Sequence, residues 1–328
     1  MCGQAKQTNL DFVLAGRTHS SVQSAAKNLG VPYRVFDVTN PKLIDSNLKG
    51  ISVLLSCAGP FARTAEPLIE ACLRTGVHYL DTSAELDNYL LATMYNSEAK
   101  TAKVMLMPGC GGSDAIFGCL VARALEDFIT QEILGNVRQV DLALHVSGPT
   151  SRGSAIAAVA IFHAQCMGVL NRRLIAHGAA WPALFDFADG RVTVACLPMT
   201  LPDIVTIYQF FGVKNIKTFA DASGTAFPIG DLAALPDGPT IEERDANPQH
   251  AAFAITLLDM SVHRFAQRTV NGYTLIAKAS VEAARRVVAG DSTPGYQTAA
   301  KVFGAGFLES IPGVLLDSWR LKQLSGSA

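Results

Sequence analysis

Charge is sparse in this 328-residue chain: 17% of residues are Asp, Glu, Lys or Arg, and 27 basic side chains stand against 28 acidic ones. Without a basic excess there is no electrostatic footprint for nucleic acid or an anionic membrane surface, and neither is expected as a partner. The seven cysteines, Cys2, Cys57, Cys72, Cys110, Cys119, Cys166 and Cys196, include no C-x-x-C pair. That spacing excludes a zinc-ribbon chelate and a dithiol redox motif, and odd, scattered thiols point to a reducing, cytoplasmic setting. No transmembrane span is expected, because the most apolar helical stretch, Ala155 to Leu170, is broken by His163 and Gln165. No His, Cys and carboxylate set has ligand spacing, so no metal is expected either.

Apolar side chains, in contrast, make up 49% of the chain. Such a composition excludes disorder and supplies a large core, with a surplus for an apolar ligand cavity or the interface of a homodimer. At about 150 residues per domain, the length asks for two domains.

The first third carries five short apolar runs: Phe12 to Ala15, Tyr33 to Phe36, Ser52 to Ser56, His78 to Asp81 and Lys103 to Met107. Runs of this length predict buried parallel strands. Glu66 to Arg74 and Leu86 to Lys100 have helical periodicity between them and predict crossover helices. Further on, Gln139 to Val146 alternates as a half-buried strand, Ser151 opens a helix expected to reach about Arg172, and Val192 to Cys196 is a further strand. Ala252 to Asp259 and Val262 to Thr269 predict an antiparallel hairpin, and Tyr273 to Ala289 a helix. The expected fold class is α/β: a Rossmann-type parallel sheet over residues 1–115, then an α+β domain with a mixed or antiparallel sheet over 116–328. The C-terminal segment is expected to pack back on the first domain.

In such a sheet a ligand lies along the carboxyl ends of the strands, which directs attention to five places. Arg17 ends the first strand, where a cation can hold the 2′-phosphate of NADP, although a surface role suits it as well. Asp37 ends the second, near where an adenine edge would sit, or caps a turn. Ala58, Gly59 and Pro60 follow the third strand, and small residues there let a cofactor approach the backbone. Thr82 and Glu85 end the fourth with a hydroxyl and a carboxylate. After the fifth, Pro108 to Asp114 holds three glycines in four positions and opens a helix whose amides suit an anion or an oxyanion; Ser113 or Asp114 acting as an ordinary N-cap is the simpler alternative.

The succession of LAGR at 14–17, FDVT at 36–39, SCAGPF at 56–61 and EACLRTGVHYLDTSAE at 70–85 resembles the saccharopine dehydrogenase-like oxidoreductases, including their short branch, the trans-acting enoyl reductases. The resemblance continues through Ser151-Arg-Gly-Ser, Thr206-Ile-Tyr, Asn271-Gly-Tyr and Pro294-Gly-Tyr-Gln-Thr. It implies an NADP-binding domain joined to a substrate domain, and reduction of a small apolar, lipid- or polyketide-like substrate of secondary metabolism. It also implies Tyr208 as proton donor, with Arg152 as the group orienting a carbonyl or carboxylate. A buried structural tyrosine and a helix-start surface arginine are the plain alternatives for the first two.

One departure stands out. Members of that family carry a strand and a G-x-x-G-x-x-G turn before LAGR, whereas Met1 to Leu10 contains no such turn, so NADP binding is expected to be weak or lost. The loss of that central strand leaves two ladders of backbone groups needing partners, so the expectation is that the strands at Phe12 and Ser52 pair directly or that the chain is incomplete. A closed sheet suits a second function class, a cofactor-independent isomerase, cyclase or dehydratase using Asp114, Glu85 or Tyr208; a third is a non-catalytic pathway partner.

Overall fold

The computed structural model describes residues 1–127, 133, 135–176, 182–191, 193–226, 230–315 and 320–322. The chain divides into two compact units, one of Met1–Gly112 with Ile276–Val302, the other of Ser113–Leu275 with Phe303–Ala328.

The first unit alternates helices and strands: α1 (Cys2–Gln7), β1 (Leu14–Gly16), α2 (His19–Leu29), β2 (Tyr33–Val35), α3 (Pro41–Asn47), β3 (Val53–Ser56), α4 (Phe61–Thr75), β4 (His78–Asp81), α5 (Leu86–Met94), α6 (Asn96–Ala102) and β5 (Met105–Met107). Local chemistry sets the ends. Asn40 accepts the Leu43 amide while Pro41 takes the first helical position of α3, where its missing N–H costs nothing. Gly30 and Gly76 close α2 and α4 in the left-handed conformation. Along α4, Leu68, Ile69 and Cys72 are buried, the one-sided stripe that the sequence spacing predicts.

All strand pairs in this unit are parallel. They form two sheets: β1 with β2, and β3-β4-β5 extended by the later two-residue strand Gly295–Tyr296. The strands starting near Phe12 and Ser52 therefore do not pair with each other, and the closed-up sheet offered as one expectation is not formed. β1 keeps β2 as its partner and β3 keeps β4, each on one side. The difference shows in burial: β4 and β5 are almost wholly buried, whereas Val53, Leu54 and Leu55 of β3 are only partly so.

The second unit opens with α7 (Ser113–Asp127), β6 (Val137–Ser147) and α8 (Arg152–His163). Ser151 caps α8 as expected, accepting the Ser154 amide, but the helix stops nine residues before Arg172. In its place β7 (Met167–Leu170) and β8 (Arg173–Ala176) form a hairpin. The turn residues Asn171 and Arg172 have φ of 48° and 65°, the mirror-type turn whose twist matches a hairpin. The apolar run from Ala155 thus divides between a helix and a strand, an ambiguity that periodicity alone does not resolve.

β9 (Ala183–Phe185), β10 (Val194–Pro198), α9 (Asp203–Phe211), β11 (Ile216–Ser223), α10 (Ile241–Ala246), β12 (Gln249–Leu257) and β13 (Val262–Thr269) follow, then α11 (Gly272–Val288), β14 (Gly295–Tyr296), α12 (Ala299–Phe303) and β15 (Arg320–Lys322). The sheet order is β15-β13-β12-β6-β11-β10-β9, with β7 on β11 and β8 on β7. Only β6 and β11 run parallel; the other pairings of this sheet are antiparallel. Along β6 the alternation is visible: Val140 and Leu142 are buried on one face, and Ala143, His145 and Ser147 lie on the other. Ala143 belongs with Phe219, Ala252, Ala266, Cys196, Phe185 and Phe187 to one buried apolar cluster. The small residues on the central strands leave room for the two phenylalanines of the β9 segment to cover them.

Candidate functional site

The carboxyl ends of β4 and β5 are organised by one side chain. Asp81, the last residue of β4, is fully buried. Its carboxylate accepts from Tyr79 OH at 2.7 Å, the Ser83 amide at 2.9 Å, the Ser83 hydroxyl at 2.8 Å, Asn88 Nδ2 at 2.7 Å and the Gly109 amide at 2.8 Å. Its backbone carbonyl also takes the Cys110 amide, at 2.9 Å. A buried carboxylate must recover the hydration it loses, and five donors from four residues, one of them in the turn after β5, do that while locking the rim in place. Burial and the adjoining Asp81 raise the Tyr79 hydroxyl's pKa well above the usual tyrosine value, so it stays protonated and donates. The sequence points to Thr82 and Glu85 on this rim, and passes over Asp81, the group that builds it. The clue was available in the sequence: an Asp closing an apolar strand with Ser two residues on.

The same geometry corrects the reading of the glycine run after β5. Gly109 adopts φ +63°, and a methyl there would lie 1.6 Å from Tyr89 OH. A methyl on Gly111 would lie 2.3 Å from Ser280 Oγ and 2.7 Å from the Ser280 amide. The amides of Gly109 and Cys110 go to Asp81, and that of Gly112 goes to the Gly109 carbonyl at 3.1 Å. Gly109 and Gly111 serve close packing, and the amides of Gly109, Cys110 and Gly112 are taken up within the chain.

The residues expected on the cofactor side lie at the strand ends of this unit. Arg17, Ala58, Gly59 and Pro60 are exposed, while Asp37, Thr82 and Glu85 are half-buried. Asp37 accepts the Thr39 amide at 2.8 Å; that bond, then the Thr39 hydroxyl and, least, the nearby Arg17 charge hold its carboxyl below the usual range. Glu85 accepts the Ala84 amide at 2.9 Å. Helix α2 begins just after Arg17, and α4 just after Pro60; neither has a side-chain cap bond. A methyl on Gly59 would meet open space. An exposed guanidinium and two helix starts with uncapped amides are groups that suit the phosphates of a dinucleotide, and Gly59 leaves its backbone approachable.

The remaining candidates belong to the second unit. Asp114, in the first turn of α7, is fully buried. Arg152 starts α8, where its Nε and Nη2 donate to the Leu235 carbonyl at 3.2 and 3.0 Å, and Asp237 lies 3.6 Å away. Tyr208 is half-buried on α9. One residue there escapes a reading of the sequence: Asp203, also fully buried, in the first turn of α9, which packs on α7. One of its oxygens accepts the Ser113 hydroxyl at 2.9 Å, and the other meets no donor among the described residues. Burial pushes its pKa up to about 7, with the Ser113 bond and its own amide pulling weakly the other way. Among the described residues no group of three His, Cys, Asp or Glu side chains is placed to hold a metal, and no helix is long and apolar enough to cross a membrane.

Parallel strands with crossover helices in one unit and a mixed sheet in the other define a Rossmann-type, dehydrogenase-like architecture. Residues 1–107 match the model of the saccharopine dehydrogenase NADP binding domain, and the chain resembles the saccharopine dehydrogenase-like oxidoreductases, as its motifs indicate. A human saccharopine dehydrogenase-like oxidoreductase is 29% identical over 147 residues, which is 38% of this chain and 34% of that protein. A trans-acting enoyl reductase of Mycobacterium ulcerans (strain Agy99) is 28% identical over 134 residues, 37% of this chain and 32% of the relative. The match thus spans about a third of the length of these relatives. Among solved structures, apo saccharopine dehydrogenase (L-Glu forming) from Saccharomyces cerevisiae shares the fold, with a TM-score of 0.63 over 94% of both chains at 11% identity.

Proposed function

We propose that the protein is an NADP-dependent oxidoreductase of enoyl reductase type, acting on a small apolar, lipid- or polyketide-like substrate in secondary metabolism. The observation that carries this reading is the match of residues 1–107 to an NADP-binding domain, at whose strand ends stand the exposed Arg17, Ala58, Gly59 and Pro60 and the half-buried Thr82. When bound, the dinucleotide supplies or accepts a hydride. Arg17 binds its 2′-phosphate and Asp37 faces the adenosine side. In this reading Tyr208 delivers a proton to the substrate carbon opposite hydride addition. Arg152 orients a substrate carbonyl or carboxylate only by leaving the Leu235 carbonyl, so its contribution is the smaller of the two.

NADPH affinity is expected to be weak, because the amides of Gly109, Cys110 and Gly112 in the run after β5 are already taken up within the chain. Titration calorimetry with NADPH and NADH tests this. Binding that favours NADPH, and loses that preference in Arg17→Ala, supports the assignment; no binding of either at millimolar concentration removes it. Tyr208→Phe should lower kcat by at least 100-fold on the true substrate with stability unchanged.

A second reading, proton-transfer chemistry without a dinucleotide, as in an isomerase, cyclase or dehydratase, is favoured by Asp203, a buried acid whose pKa of about 7 suits exchange near neutral pH. Substrate turnover in the complete absence of nucleotide distinguishes it.

A further inference from the structure

One end of the second unit's sheet carries a row of polar side chains that the proposed reductase chemistry does not use. In register across four strands stand Asp221 of β11, His145 of β6, His250 of β12 and Arg268 of β13. Side chains opposite one another on adjacent strands share a face, so this row lies one same-face step beyond the apolar row Phe219, Ala143, Ala252 and Ala266. Phe187 from the apolar cluster packs on His145, with ring centroids 5.6 Å apart. Above the row opens a cleft of about 440 Å³ lined by His145, His250, Ser223, Arg191 and Arg268 among others.

Within it three side chains are connected in sequence. Asp221 Oδ2 lies 2.7 Å from His145 Nδ1, and His145 Nε2 lies 3.5 Å from Ser223 Oγ. Asp221 and Ser223 are two residues apart on one strand, so both point to the face that His145 occupies from the parallel strand beside them. The imidazole is therefore held at one nitrogen by a carboxylate and turned with the other toward a hydroxyl, the relation that activates a serine nucleophile. A separation of 3.5 Å is long for a hydrogen bond, and such contacts tighten when substrate binds. Arg191, held by Asp189 through its Nε at 2.8 Å, also reaches Asp221 at 3.7 Å, and both arginines, Arg191 and Arg268, line the cleft together with Asp189. His250 is buried beside His145, its Nδ1 without a partner among the described residues.

We propose that this cleft is a second, hydrolytic site, in which Ser223 and His145 cleave a small polar acyl ester and Asp221 positions the imidazole. Ser223 Oγ forms a bond to the acyl carbon as its proton passes to His145 Nε2. The bond from acyl carbon to leaving alcohol then breaks, and His145 returns the proton to that alcohol. Water, deprotonated by the same imidazole, attacks the acyl-serine, releasing a carboxylic acid and restoring Ser223. Charged and hydroxyl groups dominate the lining, which matches short, polar acyl groups and excludes long hydrocarbon chains.

The intact chain treated with a fluorophosphonate serine probe, followed by peptide mass analysis, tests this. One phosphonyl group per chain on Ser223 is expected, with p-nitrophenyl acetate hydrolysis that the probe abolishes. Ser223→Ala should remove both while leaving the circular dichroism spectrum unchanged, and His145→Gln should slow labelling at least 100-fold. Asp221→Asn should slow labelling and shift its pH profile, which a merely structural carboxylate would not do. Ser261, whose hydroxyl donates to Asp259 at 2.6 Å and which does not line the cleft, provides the control: Ser261→Ala should label as the parent does. Labelling no greater than in the heat-denatured chain, labelling on any other residue, or labelling that survives Ser223→Ala overturns the proposal.

Discussion

Asp81 and Asp203 are both fully buried carboxylates, one in each unit, and they are treated in opposite ways. Asp81 gathers five donors and uses them to fix the ends of two strands. Asp203 receives one hydroxyl and is left with an oxygen facing no donor, and its pKa rises to about 7. The difference teaches what each region is built for. A saturated carboxylate makes a rigid frame, whereas an undersupplied one stores the capacity to take up a proton close to neutral pH.

The comparison breaks most visibly at Asp81. Asp81→Ala orphans buried donors on both sides of the rim, at a cost of about 1–3 kcal/mol each, and should lower unfolding stability by about 4 kcal/mol or more. Urea denaturation checks this, and a loss below about 1 kcal/mol would mean that the network is not what holds the rim.

Asp203 should show itself in the pH dependence of stability. Its folded pKa is raised above the unfolded value of 3.8, so the folded chain binds the extra proton between about 4 and 7. The stabilisation is therefore fully present below the unfolded pKa and is lost as pH rises through about 7, with a limiting slope of about 1.4 kcal/mol per pH unit. Asp203→Asn should remove that slope and leave the chain more stable than the parent at pH 8. Denaturation midpoints measured from pH 4 to 8 decide it; an unchanged slope would place the titration elsewhere.

Two glycines of the first unit sharpen the contrast between frame and open rim. Gly109→Ala forces a methyl to 1.6 Å from Tyr89 OH at a φ of +63° and should cost about 2–3 kcal/mol. Gly59→Ala enters open space and should change stability by less than about 0.5 kcal/mol. Thermal melts of the two variants side by side suffice, and equal losses would contradict the assignment of Gly59 to the open rim.

A pH effect of the opposite sign is expected at His250. Burial, with weaker repulsion from His145, Arg268 and Arg191, depresses its pKa to about 4, against a partial opposing pull from Asp189. The unfolded chain then binds more protons between about pH 4 and 6.5, so this group contributes stability that is lost as pH falls through that window. The sign is opposite to that of Asp203, and the two partly cancel in the parent. In Asp203→Asn, stability should rise with pH between about 4 and 6.5, and adding His250→Gln should flatten the curve. A double variant that keeps the upward slope would exclude His250 as its source.

Several features of the chain were legible in order of residues alone. Short apolar runs mark β1 to β5, and the Ser151 cap and the β12–β13 alternation are read directly, because burial on both faces, capping and period-two patterning are local properties. Arg17, Gly59 and Thr82 could be placed at strand ends for the same reason. The end of α8 could not be, since an apolar run from Ala155 serves a helix as well as a strand until the Asn171-Arg172 turn finds its partner. The glycines after β5 look like an anion loop in sequence, and only the approach of Tyr89 and Ser280 explains them.

The polar face of β6 illustrates the limit most clearly. Gln139, Asp141, His145 and Ser147 alternate with Val140, Leu142 and Val146, which in sequence describes a strand with one face to water. That pattern determined that His145 and Ser147 would share a face, because successive side chains must alternate. It did not determine that His145 would stand level with Asp221, 76 residues away, or that Ser223 would lie within 3.5 Å of its other nitrogen. Strand register is settled by the pairing of whole ladders and by what packs over them, here the phenylalanines of the β9 segment on the alanine row. Local patterning thus determined which residues face together along a strand, and tertiary structure alone decided which residues meet across strands, since those contacts depend on closing chain segments that no local periodicity encodes.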